Sequence, residues 1–212
     1  WEDPASVGVA PMLPANAPVL RAFMLPNQYA ITQAGELGEQ AFLERFRDRL
    51  DGGLRLVQVR EPAFSRKQLE RFAGRVIALA RPAGVSVLIN GDVELARTLG
   101  ADGVHLAARH VAAARERPGL PLVGASAHSA AELRAAERIG ADFAVLGPVR
   151  STPSHSDRAP LGWAAFREFA LDSAIPVFAL GGVAANDMET AWSCGAHGVA
   201  MVRAAWGSPL YS

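Results

Sequence analysis

"IGADFAVLG", residues 139–147, passes from a helix end into an apolar strand within three residues. Its glycine suits the left-handed turn that closes a helix, and the apolar run after it is continuous, as a strand covered on both faces requires. The same passage recurs as "LGADGV" (99–104) and "CGAHGV" (194–199). Three such junctions set a register for the chain: helix, glycine, parallel strand.

Working outward from them, further strands are expected at "YAIT" (29–32), "RLVQVRE" (55–61), "VSVLIN" (85–90), "GVHL" (103–106), "PLVGAS" (121–126), "PVFALGG" (176–182) and "HGVAMV" (197–202), making eight with "DFAVLG" (142–147). One helix is predicted over 36–51, with Leu37, Ala41, Phe42, Phe46 and Leu50 on one face. Another is predicted over 65–81, with Leu69, Phe72, Ala73, Val76 and Ala80. "SAAE" from Ser129 has the form of a capping box closed by Glu132. There is no G-x-G-x-x-G and no P-loop, so an open nucleotide-binding sheet is disfavoured. The expectation is a (β/α)8 TIM barrel of roughly 185 residues, compact against the usual value of about 250. Only "RAAWGSPLYS" follows the eighth strand, so its helix is short or cut. Residues 1–28 hold five of the 14 prolines and are expected to be an extended linker, with the barrel spanning 29–212. The chain starts at Trp1, which suggests a piece of a longer or processed protein.

The bulk numbers exclude some classes. Of 212 residues half are hydrophobic, and 21 basic side chains balance 21 acidic ones, so nothing draws the chain generally to nucleic acid or an anionic membrane. No apolar run is long enough to span a bilayer and no signal peptide is seen, so a cytoplasmic domain is expected. Cys194 is the single cysteine, which leaves no disulfide framework and no cysteine metal cluster.

In such a barrel chemistry belongs at the C-terminal ends of the strands. Those ends supply Gln58, Arg60 and Glu61; Asn90; Ser126 and His128; Gly147 and Pro148; Gly181 and Gly182; and Arg203. Arg60 is a forked donor for phosphate or carboxylate. Gly181 and Gly182 can bring backbone N–H groups to an anion after strand seven. The loop 148–161 carries Arg150 and Thr152 and could fold over a ligand. Plainer roles suit other residues. His105 reads as a barrel-lining group satisfied by a neighbour, Asp102 and Asp142 sit on the stability face, Trp163, Trp192 and Trp206 pack between helices, and Cys194 is inert. His110 and His155 read as surface residues.

The motifs "LVQVRE", "LINGDVELA", "GADGVHL", "GASAHSAAEL", "GADFAVLGPVRSTPSH", "PVFALGGV" and "CGAHGVAMV" occur in the order seen in thiamin phosphate synthases and the related TenI-like thiazole tautomerases. The chain resembles that superfamily over about residues 29–206. The resemblance implies a barrel handling a small phosphorylated thiazole, and the strand-end and loop positions make Gln58, Arg60, Asn90, Ser126, Thr152, Gly181, Gly182 and Arg203 the expected binding residues, although Arg203 could instead close the pocket. Barrels that the chain resembles are often homo-oligomers, and nothing in the sequence specifies an interface.

Departures from the synthase pattern point to one branch. Pro62 stands where that pattern has lysine, Gly91 and His110 where two acids hold magnesium, His155 at a second lysine, and Arg203 at a phosphate-binding serine. The sequence therefore predicts no metal and no cofactor, and makes synthase activity unlikely. The Asn90-Gly91 pair and the Gly124, Ser126, His128, Ser129 context match the tautomerase branch. There the histidine moves a proton, so His128 is the expected catalytic residue. A non-catalytic alternative stands beside this reading. "PMLPANAPVLRAF" (11–23) resembles the connector that joins a MutT-type Nudix hydrolase, of the 8-oxo-dGTP diphosphatase kind, to a synthase-like barrel. The chain would then be a degenerate binding or interaction module of that enzyme.

Overall fold

Eight apolar runs become strands of four to six residues: β1 (Gln28–Ile31), β2 (Leu56–Val59), β3 (Ser86–Asn90), β4 (Gly103–Leu106), β5 (Leu122–Ala127), β6 (Phe143–Leu146), β7 (Val177–Leu180) and β8 (Gly198–Met201). In the computed structural model, which describes residues 17–152 and 159–207, every strand pairs in parallel with its sequence neighbour, and β8 returns to β1. Closure leaves no sheet edge exposed. The helices are α1 (Ala17–Met24), α2 (Ala34–Leu37), α3 (Glu39–Asp51), α4 (Arg66–Ala80), α5 (Val93–Leu99), α6 (Ala108–Ala113), α7 (Ala130–Arg138), α8 (Gly162–Leu171) and α9 (Met188–Ser193). No described helix is long and apolar enough to cross a membrane.

The recurrent passage is a latch at the N-terminal face. Gly100, Gly140 and Gly195 take φ values of 61°, 72° and 82°, which turn the chain from helix toward strand. The next-but-one residue then hooks the neighbouring strand. Asp102 Oδ2 accepts from the Val87 N–H at 2.8 Å, and Asp142 Oδ2 accepts from the Val123 N–H at 2.7 Å. Asp142 also holds Arg117 at 2.5 Å. In the third copy His197 takes the aspartate's place, and its ring bonds the Leu25 carbonyl at 2.8 Å. Asp142→Ala strands the buried Val123 N–H and should cost about 2 kcal/mol, read as a lower denaturation midpoint with an unchanged slope.

Two apolar layers follow from strand alternation. Outward residues such as Val57, Val104, Ala144 and Val199 pack against Phe42, Phe46, Phe72 and Phe166 of the helices. Inward residues Tyr29, Leu56, Leu88, Phe143, Val145, Phe178 and Ala200 fill the barrel. Tyr29 and Phe143 meet edge to face with centroids 5.2 Å apart. Gly124 makes room here, since a Cβ would lie 2.6 Å from both His105 and Phe143.

Several local readings need correction. The segment expected to be extended contains α1, with Pro18 in its first turn, where a missing N–H costs nothing. The predicted helix 36–51 is divided by Gly38 at φ 84°. Glu132 does not close a capping box on Ser129. Its carboxylate reaches one residue further back to the His128 N–H, while the Ser129 hydroxyl still accepts from the Glu132 N–H. The complete box is at Ser65 and Gln68, opening α4. Among the described residues β8 is followed by a 3-10 turn, Arg203–Ala205, that delivers Trp206 into the core. Trp206 is 1 % exposed, donates to the Ile31 carbonyl at 2.7 Å and packs on Phe42. Trp192, expected to be packed, is half exposed and donates to the His197 carbonyl.

Candidate active site

The strand-end residues meet at one mouth. Val59 pairs with Ile89 and Asn90 with His105, so Arg60 and Asn90 emerge side by side from β2 and β3. The Thr32 hydroxyl accepts from the Arg60 N–H at 3.0 Å and fixes the backbone there. Arg60 is exposed, forms no salt bridge among the described residues, and lies close enough for its charge to act on His105. Glu61, a strand-end neighbour, is not its partner. That carboxylate is buried and receives the N–H groups of Ala34 and Gly35 at 2.7 and 2.8 Å, tying β2 to α2.

Beneath Arg60 and Asn90 runs a buried polar chain. Gln58 Nε2 donates to Tyr29 Oη at 3.1 Å, Tyr29 Oη lies 3.2 Å from His105 Nδ1, and His105 Nε2 lies 2.9 Å from Ser126 Oγ. Gln58 and His105 are each 2 % exposed and Tyr29 is fully buried, whereas Ser126 at the end of β5 is partly open. Burial, assisted by the Arg60 charge, pushes the His105 pKa down to about 3, so the imidazole is neutral. Burial likewise holds the Tyr29 phenol protonated well above its ordinary range, against a smaller opposing effect from Gln58. Gln58, expected at the ligand, instead has its amide nitrogen engaged inside the barrel. His105 is satisfied by neighbours, as its lining position suggested.

Across the mouth, the loop after β7 is built for an anion. Gly181 and Gly182 have φ values of 100° and 63°. The N–H groups of Gly181, Gly182 and Val183 have no backbone acceptor among the described residues. Successive free amides of this kind form a concave nest of partial positive charge. The loop after β6 is zipped against it, with the Val149 N–H on the Leu180 carbonyl at 2.7 Å and the Arg150 N–H on the Gly181 carbonyl at 3.0 Å. Arg150 is held at the base of the loop expected to cover a ligand, whose residues 153–158 lie outside the described residues. It grips the Gly182 carbonyl and both oxygens of Asp187 at 2.7 to 3.0 Å. The hydrogen bonds from Arg150 hold the Asp187 carboxyl below its ordinary range, and Asp187 in return accepts from the Ala184 N–H. Thr152 follows in the same loop, and its Oγ1 is buried with no partner in the described structure.

Two expected residues are tied elsewhere. Arg203 neither plugs the mouth nor reaches the nest: it pairs with exposed Glu36 at 3.1 Å, across the β8–β1 seam. The Gln33 amide and Arg203 together lower the Glu36 pKa. His128 sits just past β5 with its Nδ1 2.8 Å from Glu132 Oε2, bonded to its own helix rather than to another mouth residue. His155 lies outside the described residues.

The ends of β3 and β4 do not fit the magnesium that the resemblance implies for synthases. Gly91 offers no side chain, and the His110 ring lies 3.5 Å from where its Cβ would be. Asp92, one residue on, caps α5 through the Leu95 N–H and pairs with Arg66. Among the described residues no three acids, histidines or cysteines converge.

Sequence reasoning missed Tyr29, Val183 and Asp187. Tyr29 carried a signal, since a tyrosine on an inward strand position must place its hydroxyl on a polar partner.

Comparison with known proteins settles the family. The pattern described as thiamine monophosphate synthase matches residues 28–205. The chain is 32% identical to the thiamine-phosphate synthase of Azorhizobium caulinodans over 85% of this chain and 87% of that protein. It is 36% identical to that of Geobacillus thermodenitrificans over 77% of each. Among solved structures, the thiamine phosphate pyrophosphorylase of Pyrococcus furiosus superposes with a TM-score of 0.73 at 26% identity, covering 90% of this chain and 91% of that one. These relatives, named as synthases or pyrophosphorylase and matched over 77% or more of their length, overturn both the tautomerase reading and its alternative, a degenerate module of a Nudix hydrolase. The proton-shuttle role expected of His128 goes with the tautomerase.

Proposed function

The chain belongs to the thiamine monophosphate synthase family, and from that premise we propose that it makes thiamine phosphate by joining a phosphorylated thiazole to a pyrimidine carried as its pyrophosphate ester. The thiazole ring nitrogen supplies the electron pair of the new C–N bond. The carbon–oxygen bond to pyrophosphate breaks, and pyrophosphate leaves with the electron pair of that broken bond. The observation that carries the reading is the run of free amides at Gly181, Gly182 and Val183, at the same barrel end as the unpaired guanidinium of Arg60.

In this reading the amides and the orphaned Thr152 hydroxyl seat the thiazole phosphate. Arg60, Asn90 and Ser126, on the other side, lie with the pyrophosphate. Arg60 supplies a fixed, forked positive charge where negative charge develops as the leaving group departs.

The test is formation of thiamine phosphate from the two substrates in magnesium-containing buffer, with pyrophosphate release followed in parallel. Arg60→Ala should lower kcat/KM by roughly 100-fold or more, as loss of a preorganised charge does, and Arg60→Lys should restore only part of it. If no thiamine phosphate forms with both substrates present, the reading fails.

A further inference from the structure

The chain from Gln58 to Ser126 has a direction. The Gln58 amide nitrogen carries only protons, so Tyr29 Oη accepts from it. Among the described residues the Tyr29 proton then has one acceptor within reach, His105 Nδ1 at 3.2 Å. An imidazole accepting at Nδ1 carries its proton at Nε2, and that N–H donates to Ser126 Oγ at 2.9 Å. Ser126 thereby receives its hydrogen bond from below. Its own proton has no acceptor among the described residues, and the residue, at the mouth end of β5, is partly open.

We propose that Tyr29 and His105 are positioning residues that fix the direction of the Ser126 hydroxyl, so that its proton is free to be donated to the ligand. The matching ligand atom is an acceptor, a phosphoryl oxygen of the pyrophosphate. The identity of that anion rests on the synthase reading; the relay does not. No proton needs to travel along the chain. A histidine buried against Tyr29 and Phe143, with the Arg60 charge nearby, stays neutral and acts by holding one tautomer. Neither group needs to touch substrate: His105 is 2 % exposed and Tyr29 is closed off by the Phe143 and Phe178 rings.

Two measurements on the intact protein test this. Two-bond proton–nitrogen correlation of 15N-labelled imidazole, without any ligand, should show His105 as the pure Nε2–H tautomer at neutral pH. Tyr29→Phe, which preserves the buried ring, should mix the tautomers. Titration with inorganic pyrophosphate should show roughly a tenfold affinity loss in Ser126→Ala, the usual effect of one hydrogen bond, and a similar loss in Tyr29→Phe. In the Ser126→Ala background Tyr29→Phe should cost nothing further, because its effect passes through Ser126. An Nδ1–H tautomer in the unaltered protein, or a Tyr29→Phe loss that persists without the serine hydroxyl, overturns the proposal. A pure Nε2–H tautomer together with unchanged pyrophosphate affinity in Ser126→Ala instead counts against the anion assigned by the synthase reading.

Discussion

Gly181→Ala is expected to remove turnover and to abolish stabilisation by phosphate. At φ 100° the backbone lies in a region that a side chain rarely tolerates. A Cβ there would also stand 2.6 Å from Pro148 Cα and Cβ and 3.1 Å from the Val149 nitrogen. Two of these are backbone atoms of a loop already zipped to β7, so they cannot swing aside as the end of a flexible side chain would. The left-handed backbone costs an L-residue about 1–2 kcal/mol by itself, and relieving the clash must pry the β6 loop from the amide nest. Gly182→Ala should be milder. Its φ of 63° is near the left-handed minimum, and the nearest obstacle is the Arg150 Cβ at 2.8 Å. Gly74 on α4 is the control: nothing lies within 4 Å of its would-be Cβ, so Gly74→Ala should keep activity and gain up to about 1 kcal/mol of helix stability. Thermal unfolding with and without phosphate separates the outcomes. A phosphate-dependent rise in melting temperature that survives in Gly181→Ala would falsify the placing of the anion at this nest.

The barrel was legible because its signals are local. A glycine ending a helix and an apolar run after it are neighbours in sequence, and three such passages among eight apolar runs leave little choice of topology. The site was legible only as positions. Arg60, Asn90, Ser126, Gly181 and Gly182 could be named from strand ends, but which groups satisfy one another could not. Tyr29 and His105 are 76 residues apart, and Arg150 and Asp187 are 37 apart. Such pairings depend on strand register and loop path, which short-range pattern does not carry. Glu61 and Glu132 show the same limit at closer range. Glu61, read as the last residue of a strand, lies past β2 and takes the N–H groups of Ala34 and Gly35, while Glu132, read as closing a box on Ser129, takes the His128 N–H instead. The function went astray for a related reason. Gly91, His110 and Arg203 were weighed as losses from a pattern, residue by residue, while the likeness spread over residues 28–205 weighs the whole chain. Arg203 in particular had a structural task, holding Glu36 across the seam, that no motif comparison would reveal.

Stability should fall steeply on acidification, and His105 should account for a large share. The unfolded chain takes up a proton at this histidine near pH 6.5, whereas in the fold burial and the Arg60 charge delay uptake to about pH 3. Above pH 6.5 neither state carries that proton, and the histidine imposes no acid penalty. Between 6.5 and 3 the unfolded state binds more protons, so stability drops as pH falls, and below 3 the loss from this group is complete. A gap of that size corresponds to about 5 kcal/mol in total, comparable with the whole stability of many domains. The lowered carboxyls of Asp187 and Glu36 add their own loss at lower pH, but they are present equally in a His105 variant and cancel in a comparison. Denaturant midpoints measured from pH 7.5 to 4 should therefore decline more steeply for the unaltered protein than for His105→Gln, even though the variant starts less stable at neutral pH. Parallel declines would mean that His105 protonates in the folded barrel near its ordinary pKa. A charged imidazole at that position could not accept the Tyr29 proton, so in acid the link between Tyr29 and His105 would break while the Nε2–H still faced Ser126.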